Sequence, residues 1–116
     1  MERFAPDNVA DMIGEYFEKL EETCRLKHEL ATVTFNLKLT EARLLLQWIR
    51  EGKIDGKNET IREAQLRVLL AENPEYRGLL EQKNYLILRI STNEAWTSAY
   101  TAALAIYNEL RKQDGI

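Results

Sequence analysis

Apolar residues recur at the spacing of an α-helix along most of this chain. From about Asp7 to Arg50 they return mostly every three, four or seven residues, which predicts one long helix over residues 7–50. The stripe consists of Val9, Ile13, Tyr16, Leu20, Cys24, Ala31, Phe35, Ala42, Leu45 and Ile49.

Residues 32–39 fit a second interpretation. Val33, Phe35, Leu37 and Leu39 alternate strictly with polar residues, which is the period of a β-strand. The chain contains no second alternating segment to pair with, and a lone strand would leave its backbone groups without hydrogen bonds. Helical periodicity also resumes afterwards with no turn residue between. We therefore favour helix, with a strand as the alternative.

A break at residues 51–58, here called the corner, ends the first helix. Gly52 suits a left-handed helix C-cap, and Asp55-Gly56 is a turn dipeptide. Asn58 or Thr60 can then cap a new helix over residues 59–72.

The pair Asn73-Pro74 predicts the start of a third helix over residues 74–112, with asparagine as the cap and proline in the first turn. This segment contains a heptad-like pattern typical of packed helices. One set of positions is Leu79, Leu86, Asn93, Tyr100 and Tyr107, and the partner set is Lys83, Ile90, Thr97 and Leu104.

These elements predict an all-α fold in a single domain over residues 1–116. Two long helices that fold back through a short middle helix form a long antiparallel helical hairpin with coiled-coil-like packing. Such a thin object buries little area per residue, whereas the apolar stripes are broad. The excess apolar surface predicts a homo-oligomer or the binding of an unidentified protein partner.

The composition restricts the cellular location that we expect for the protein. One cysteine among 116 residues excludes an intramolecular disulfide. No apolar run approaches the roughly 20 residues of a membrane span, and the N-terminus lacks the layout of a signal peptide. We expect a cytoplasmic protein without membrane contact.

The net charge of −3 is unevenly distributed. Residues 1–22 hold seven acidic residues against two basic ones, whereas basic residues concentrate near the corner. The latter are Arg43, Arg50, Lys53, Lys57, Arg62 and Arg67. Acidic residues are interspersed among them, so the strongly basic face of a nucleic-acid-binding protein is missing. A nucleic-acid accessory factor remains an alternative function.

Catalytic chemistry has little support. Cys24 and His28 share a helix face, as metal ligands do, but the chain has no further cysteine or histidine. The corner falls one residue short of a phosphate-binding loop. We therefore predict no catalytic, metal or cofactor site.

One enzymatic alternative uses carboxylates. Glu15, Glu18 and Glu21 stand at Glu-x-x-Glu spacing, which resembles the magnesium-binding helices of all-α nucleotide pyrophosphatases. That family also has a downstream Glu-x-x-Asp, which this chain lacks.

The run Gly56-Lys-Asn-Glu-Thr-Ile-Arg-Glu-Ala-Gln-Leu66, followed by Pro74-Glu-Tyr76 and a heptad-like tail, carries a second resemblance. It is similar to small helical proteins of tailed phages and prophages of Gram-positive bacteria. The resemblance covers about residues 41–110, and it implies a phage accessory context but no activity.

These observations predict a non-enzymatic accessory protein that acts through protein–protein interaction. The candidate interaction residues are Asn58, Arg62, Gln65, Arg50 and Lys57. A structural alternative applies to the first three: Asn58 caps the second helix, Arg62 pairs with Glu59 or Glu63, and Gln65 lies on the surface.

Overall fold

The fold is all-α. A computed structural model describes the backbone of residues 6–113 and the side chains of residues 9–113. It contains α1 (Pro6–Arg50), α2 (Glu59–Glu72) and α3 (Pro74–Gln113), and no strand occurs within residues 6–113. The three predicted helices are confirmed, and their ends lie within one residue of the predicted ones.

Residues 32–39 belong to α1. Val33 and Leu37, four residues apart, are buried, whereas Phe35 and Leu39 are 61% and 53% exposed. The strict alternation therefore places residues on two helix faces, and the strand alternative is wrong.

The buried face of α1 differs from the predicted stripe. Of that stripe only Val9, Tyr16 and Leu45 are partly buried, and the others, Cys24 among them, are exposed. The helix has two apolar faces. The buried face includes polar residues, whereas the predicted stripe follows the other face, which is more uniformly apolar. The buried residues of α1 are Thr23, Leu26, Val33, Leu37, Thr40, Leu44 and Trp48.

In α3 the predicted heptad positions all turn out to be buried or half-buried. Asn93 is the most buried polar residue among them, with 3% of its surface exposed. The predicted heptad positions therefore mark the packed side of this helix.

Contacts group the described residues into two compact units. The first combines the chain up to His28 with the chain from Ile87 onward, and the second is Glu29–Leu86. Each unit has its own buried side chains, and the single-domain organisation stays a prediction.

In the first unit α1 and α3 pack antiparallel. Tyr16 stacks on Tyr100 at a ring-centroid distance of 4.9 Å, and further along α1 Glu22 accepts hydrogen bonds from Arg89 and Asn93. Residue numbers thus rise along α1 as they fall along α3. Packing of this kind confirms the helical hairpin.

Glu22 makes the first unit sensitive to acid. Arg89 and Asn93 donate hydrogen bonds to its carboxylate and hold the pKa of Glu22 below its ordinary value. A lowered folded-state pKa adds stability above the ordinary glutamate pKa, and this stability is lost as the pH falls through the folded-state value. We expect Glu22→Gln to lower the unfolding free energy at pH 7 but to have little effect at strongly acidic pH. Urea unfolding at both pH values tests this, with the exposed Glu18→Gln as the control; an equal loss at both would contradict it.

The second unit contains the hydrophobic core near the corner. Its buried members are Leu44, Trp48, Ile54, Leu66 and Leu70, with Leu45, Leu69 and Tyr76 packed against them. The end of α1, the corner and α2 thus share one core, and Tyr76 adds the start of α3.

Two ion pairs tie the helices of the second unit together. Arg43 of α1 pairs with Glu75 of α3, and Arg67 of α2 pairs with Glu41 of α1 at 2.5 Å. Arg67 also pairs with Glu63 within α2, and these carboxylates raise the pKa of Arg67. Both arginines, Glu63 and Glu75 are exposed and Glu41 is half-buried, so we expect each pair to contribute less than about 1 kcal/mol.

Candidate functional site

The corner begins with a Schellman motif. Gly52 adopts φ = 75°, a left-handed conformation that glycine accepts without strain. Its amide donates to the carbonyl of Ile49 at 3.1 Å, and the amide of Lys53 donates to the carbonyl of Trp48 at 2.9 Å. Both bonds satisfy carbonyls that the helix end leaves open. The predicted glycine cap is confirmed.

Asn58 begins α2. Its side-chain oxygen accepts a hydrogen bond from the amide of Ile61 at 3.0 Å, so Asn58, and not Thr60, is the N-cap. Gly56 lies directly against this first turn. A Cβ atom at Gly56 would stand 2.5 Å from Cγ2 of Ile61 and 3.0 Å from the backbone nitrogen of Arg62, which leaves room only for glycine.

Gln65 holds the corner closed from α2. Its Oε1 atom accepts hydrogen bonds from the amides of Asp55, at 3.2 Å, and Gly56, at 3.0 Å. Its Nε2 atom donates to Oδ1 of Asp55 at 2.9 Å. One side chain thus satisfies two backbone amides and one carboxylate oxygen. The structural alternative placed Gln65 on the surface; it is half-buried, and its amide also binds the loop that folds back over α2.

Arg62 also binds the corner. Its Nη1 atom donates to the carbonyl of Gly56 at 3.2 Å. Arg62 does not form the expected ion pair with Glu59 or Glu63, and Glu63 pairs instead with Arg67 one turn later. Arg62 and Gln65 therefore converge on the loop backbone, whereas Asn58 caps the first turn of α2, and the primary contacts of all three lie within the chain.

Truncation of Gln65 tests this arrangement. We expect Gln65→Ala to lower the unfolding free energy by about 1–2 kcal/mol, because two loop amides lose their acceptor. The exposed Gln82→Ala on α3 is the matched control and should change stability by less than about 0.5 kcal/mol. Urea unfolding of both variants gives the comparison, and equal small effects would show that water replaces the amide without cost.

The other two candidates are exposed: Arg50 is the last residue of α1, and Lys57 lies within the corner. Among the described side chains of residues 9–113, those of Arg50 and Lys57 make no hydrogen bond or ion pair. Lys53, in contrast, pairs with Glu51 at 3.3 Å. Since Arg43 and Arg67 are also paired with carboxylates, three of the six basic side chains near the corner form ion pairs with an acidic side chain of the protein itself. This lowers the positive charge that a nucleic-acid phosphate would encounter.

A shallow groove adjoins the corner on α2, with a volume of about 370 Å³. Its lining is mostly apolar, and Ile61 and Val68 are 44% and 60% exposed. The lining residues are Lys53, Ile61, Ala64, Gln65, Val68 and Leu69.

The residues considered for metal chemistry do not form a binding site in the part of the chain that the structure describes. No group of three or more histidine, cysteine, aspartate or glutamate side chains there is arranged to hold a metal ion. Glu15, Glu18 and Glu21 are exposed on α1. No helix within residues 6–113 is both long and apolar enough to cross a membrane.

Comparison with known proteins identifies no relative. The chain matches no protein-family model, and no curated protein or solved structure is significantly similar to it. The resemblance to phage and prophage proteins therefore stays a prediction based on the residue 56–66 element.

Proposed function

We propose that this chain is a non-enzymatic accessory protein that acts by binding other proteins. The observation that carries the proposal is an exposed apolar surface on α1 in the second unit, here called the outer face. Its large side chains are between 48% and 61% exposed, although the same helix buries Leu44 and Trp48 on another side. The outer face consists of Phe35, Leu39, Ala42, Leu46 and Ile49.

An exposed apolar surface of this size is typical of a site that binds another molecule. Single exposed leucines are ordinary on proteins, but contiguous apolar patches commonly mark contacts with other macromolecules. Four large side chains follow one another at helical spacing on the outer face, so they form a patch rather than isolated positions. The resemblance of residues 56–66 suggests a phage or prophage context, and a cytoplasmic location fits that context.

Capture experiments with matched variants test the proposal. The double variant Leu39→Lys/Leu46→Lys removes apolar surface from the outer face, and Gln82→Lys/Asn84→Lys adds the same charge at exposed polar positions of α3. We expect wild type and control to retain the same protein from an extract of the native host, and the outer-face variant to lose it. Equal capture by all three would contradict a role for this face.

Two further assays separate the alternative functions. Binding to DNA or RNA that weakens steeply with salt would favour the nucleic-acid factor, and no binding at low salt would eliminate it. A thermal shift produced by magnesium together with a nucleotide would favour the pyrophosphatase alternative through Glu15, Glu18 and Glu21.

A further inference from the structure

The corner contains two neighbouring residues that can react with each other. Asp55-Gly56 is an Asp-Gly pair, and the chain has a second one, Asp114-Gly115, outside the described residues. Because glycine has no Cβ, its main-chain nitrogen has open access to the carboxyl group of the preceding aspartate. An Asp-Gly pair is therefore a sequence at which a side chain can join to the backbone next to it.

In the folded chain one side chain binds both reacting groups of Asp55-Gly56. The amide nitrogen of Gly56 donates a hydrogen bond to Oε1 of Gln65 at 3.0 Å, and Nε2 of Gln65 donates to Oδ1 of Asp55 at 2.9 Å. The pair is also fixed at both ends, because Ile54 is buried in the core and the carbonyl of Gly56 accepts a hydrogen bond from Arg62. The pair therefore cannot change its conformation unless these contacts open.

We propose that Asp55-Gly56 is a site of aspartate isomerisation and that Gln65 protects it in the folded chain. In the first step the nitrogen of Gly56 forms a bond to Cγ of Asp55, which closes a cyclic imide. The nitrogen gives up its hydrogen and the carboxyl group gives up its hydroxyl, and the two leave together as water.

Water then opens the imide in one of two ways. Cleavage between the nitrogen and Cγ restores aspartate, whereas cleavage between the nitrogen and the backbone carbonyl carbon leaves isoaspartate, whose main chain runs through Cβ and Cγ. This longer main chain does not fit the corner, because Gly56 packs so closely on α2 that a Cβ atom would stand 2.5 Å from Cγ2 of Ile61. Isomerisation is therefore expected to loosen the corner.

The hydrogen bonds of Gln65 oppose the first step. To attack Cγ, the nitrogen of Gly56 must lose its hydrogen and keep the electron pair of that bond. In the folded loop this hydrogen points at Oε1 of Gln65, so a nitrogen without it would face the lone pairs of that oxygen. The reaction therefore starts from open conformations of the loop. Asp55 is exposed, so water reaches the imide once it has formed.

The size of the effect follows from the population of the open loop. When a segment opens and closes faster than a reaction consumes it, the reaction rate follows the equilibrium population of the open form. The loss of stability expected for Gln65→Ala corresponds to a factor of about 5–30 in such an equilibrium. Isoaspartate should therefore form at Asp55 faster by that factor in the variant.

Incubation of the folded chain at neutral pH, followed by digestion with trypsin, measures the product at each Asp-Gly pair. Cleavage after Lys53, Lys57 and Lys112 releases residues 54–57 and residues 113–116 as separate peptides. Isoaspartyl and aspartyl peptides have the same mass but separate by chromatography, so both sites are quantified in one sample.

Asp114 is the reference for Asp55, because it precedes a glycine in the same chain and experiences the same solution. We expect the ratio of isoaspartate at Asp55 to isoaspartate at Asp114 to be about 5–30-fold higher in Gln65→Ala than in wild type. The same ratio in both proteins would overturn the proposal.

Two controls separate the local role of Gln65 from general unfolding. Glu22→Gln weakens the first unit without touching the corner, so it should leave the ratio at the wild-type value. In urea that unfolds the chain, wild type and Gln65→Ala should isomerise at Asp55 at one rate, which exceeds that of folded wild type. A rise with Glu22→Gln equal to that with Gln65→Ala, or equal rates for folded and unfolded wild type, would overturn the proposal.

Discussion

Leu70→Ala is expected to lower the free energy of unfolding by about 3 kcal/mol, since deletion of a fully buried leucine side chain usually costs 2–5 kcal/mol. Leu70 is 1% exposed and is the most completely buried large side chain of the described residues. It belongs to the core that α1, the corner and α2 share, together with Trp48 and Ile54. Removing it therefore leaves a cavity that borders all three segments. Such a loss is a large fraction of the total stability of a small domain.

Urea unfolding followed by circular dichroism measures the effect. Val68→Ala is the matched control, because Val68 lies on the same helix but is 60% exposed. We expect its effect to stay within about 0.5 kcal/mol. If Leu70→Ala were as mild as the control, the core of the second unit would have to close over the missing side chain without cost.

Gly56→Ala is the second large expected effect, a loss of about 2–3 kcal/mol from steric overlap at a site that cannot relax easily. The added Cβ would lie within 3.0 Å of Ile61 and of the backbone nitrogen of Arg62. That backbone belongs to the first turn of α2, whose position Asn58 fixes by capping. The loop must therefore move, and movement breaks the hydrogen bonds that the amides of Asp55 and Gly56 donate to Gln65.

The control for this prediction is Gly78→Ala. Gly78 lies within α3, and a Cβ there meets nothing within 4 Å. Alanine is the better helix former by about 1 kcal/mol, so this variant should gain stability while Gly56→Ala loses it. Opposite signs in one chemical denaturation series are the expected result. A gain for both substitutions would show that the corner tolerates a side chain.

The helix boundaries were predictable because the chain marks them with local signals. Gly52 ends α1 through a left-handed cap, and Asn58 and Pro74 begin α2 and α3. Each signal acts over a few residues of backbone and does not depend on what packs against the helix. The same holds for the α3 heptad, whose spacing identified the buried positions.

The buried face of α1 was not predictable from periodicity alone. Both faces of this helix carry apolar residues at helical spacing, and burial depends on contacts with residues far along the sequence. Thr23 and Thr40 are buried although they are polar, and Phe35 is exposed although it is aromatic. Thr23 donates its hydroxyl hydrogen to the carbonyl of Lys19 in the preceding turn, which lets that polar group be buried.

The corner likewise contains one residue whose role was predictable from sequence and one whose role was not. Asn58 was recognised as a cap because the motif is local in sequence. The contacts of Gln65 were missed because its partners, Asp55 and Gly56, are ten and nine residues away, and only the fold of the loop brings them together. A polar side chain on α2 facing a glycine-containing loop was the available signal.

The hydrogen bond between Asn93 and Glu22 does not by itself fix the register of α1 against α3. Glu15, Glu22 and Glu29 are spaced by seven residues, so a slide of α1 by two helical turns, about 10.5 Å, would again bring a carboxylate to Asn93. A slide by four residues, about 6 Å, would do the same through Glu18. The stacked rings of Tyr16 and Tyr100 oppose these slides, because each slide puts Val9, Met12 or Thr23 in the place of Tyr16. Tyr16→Leu would therefore permit misaligned pairing before it caused unfolding.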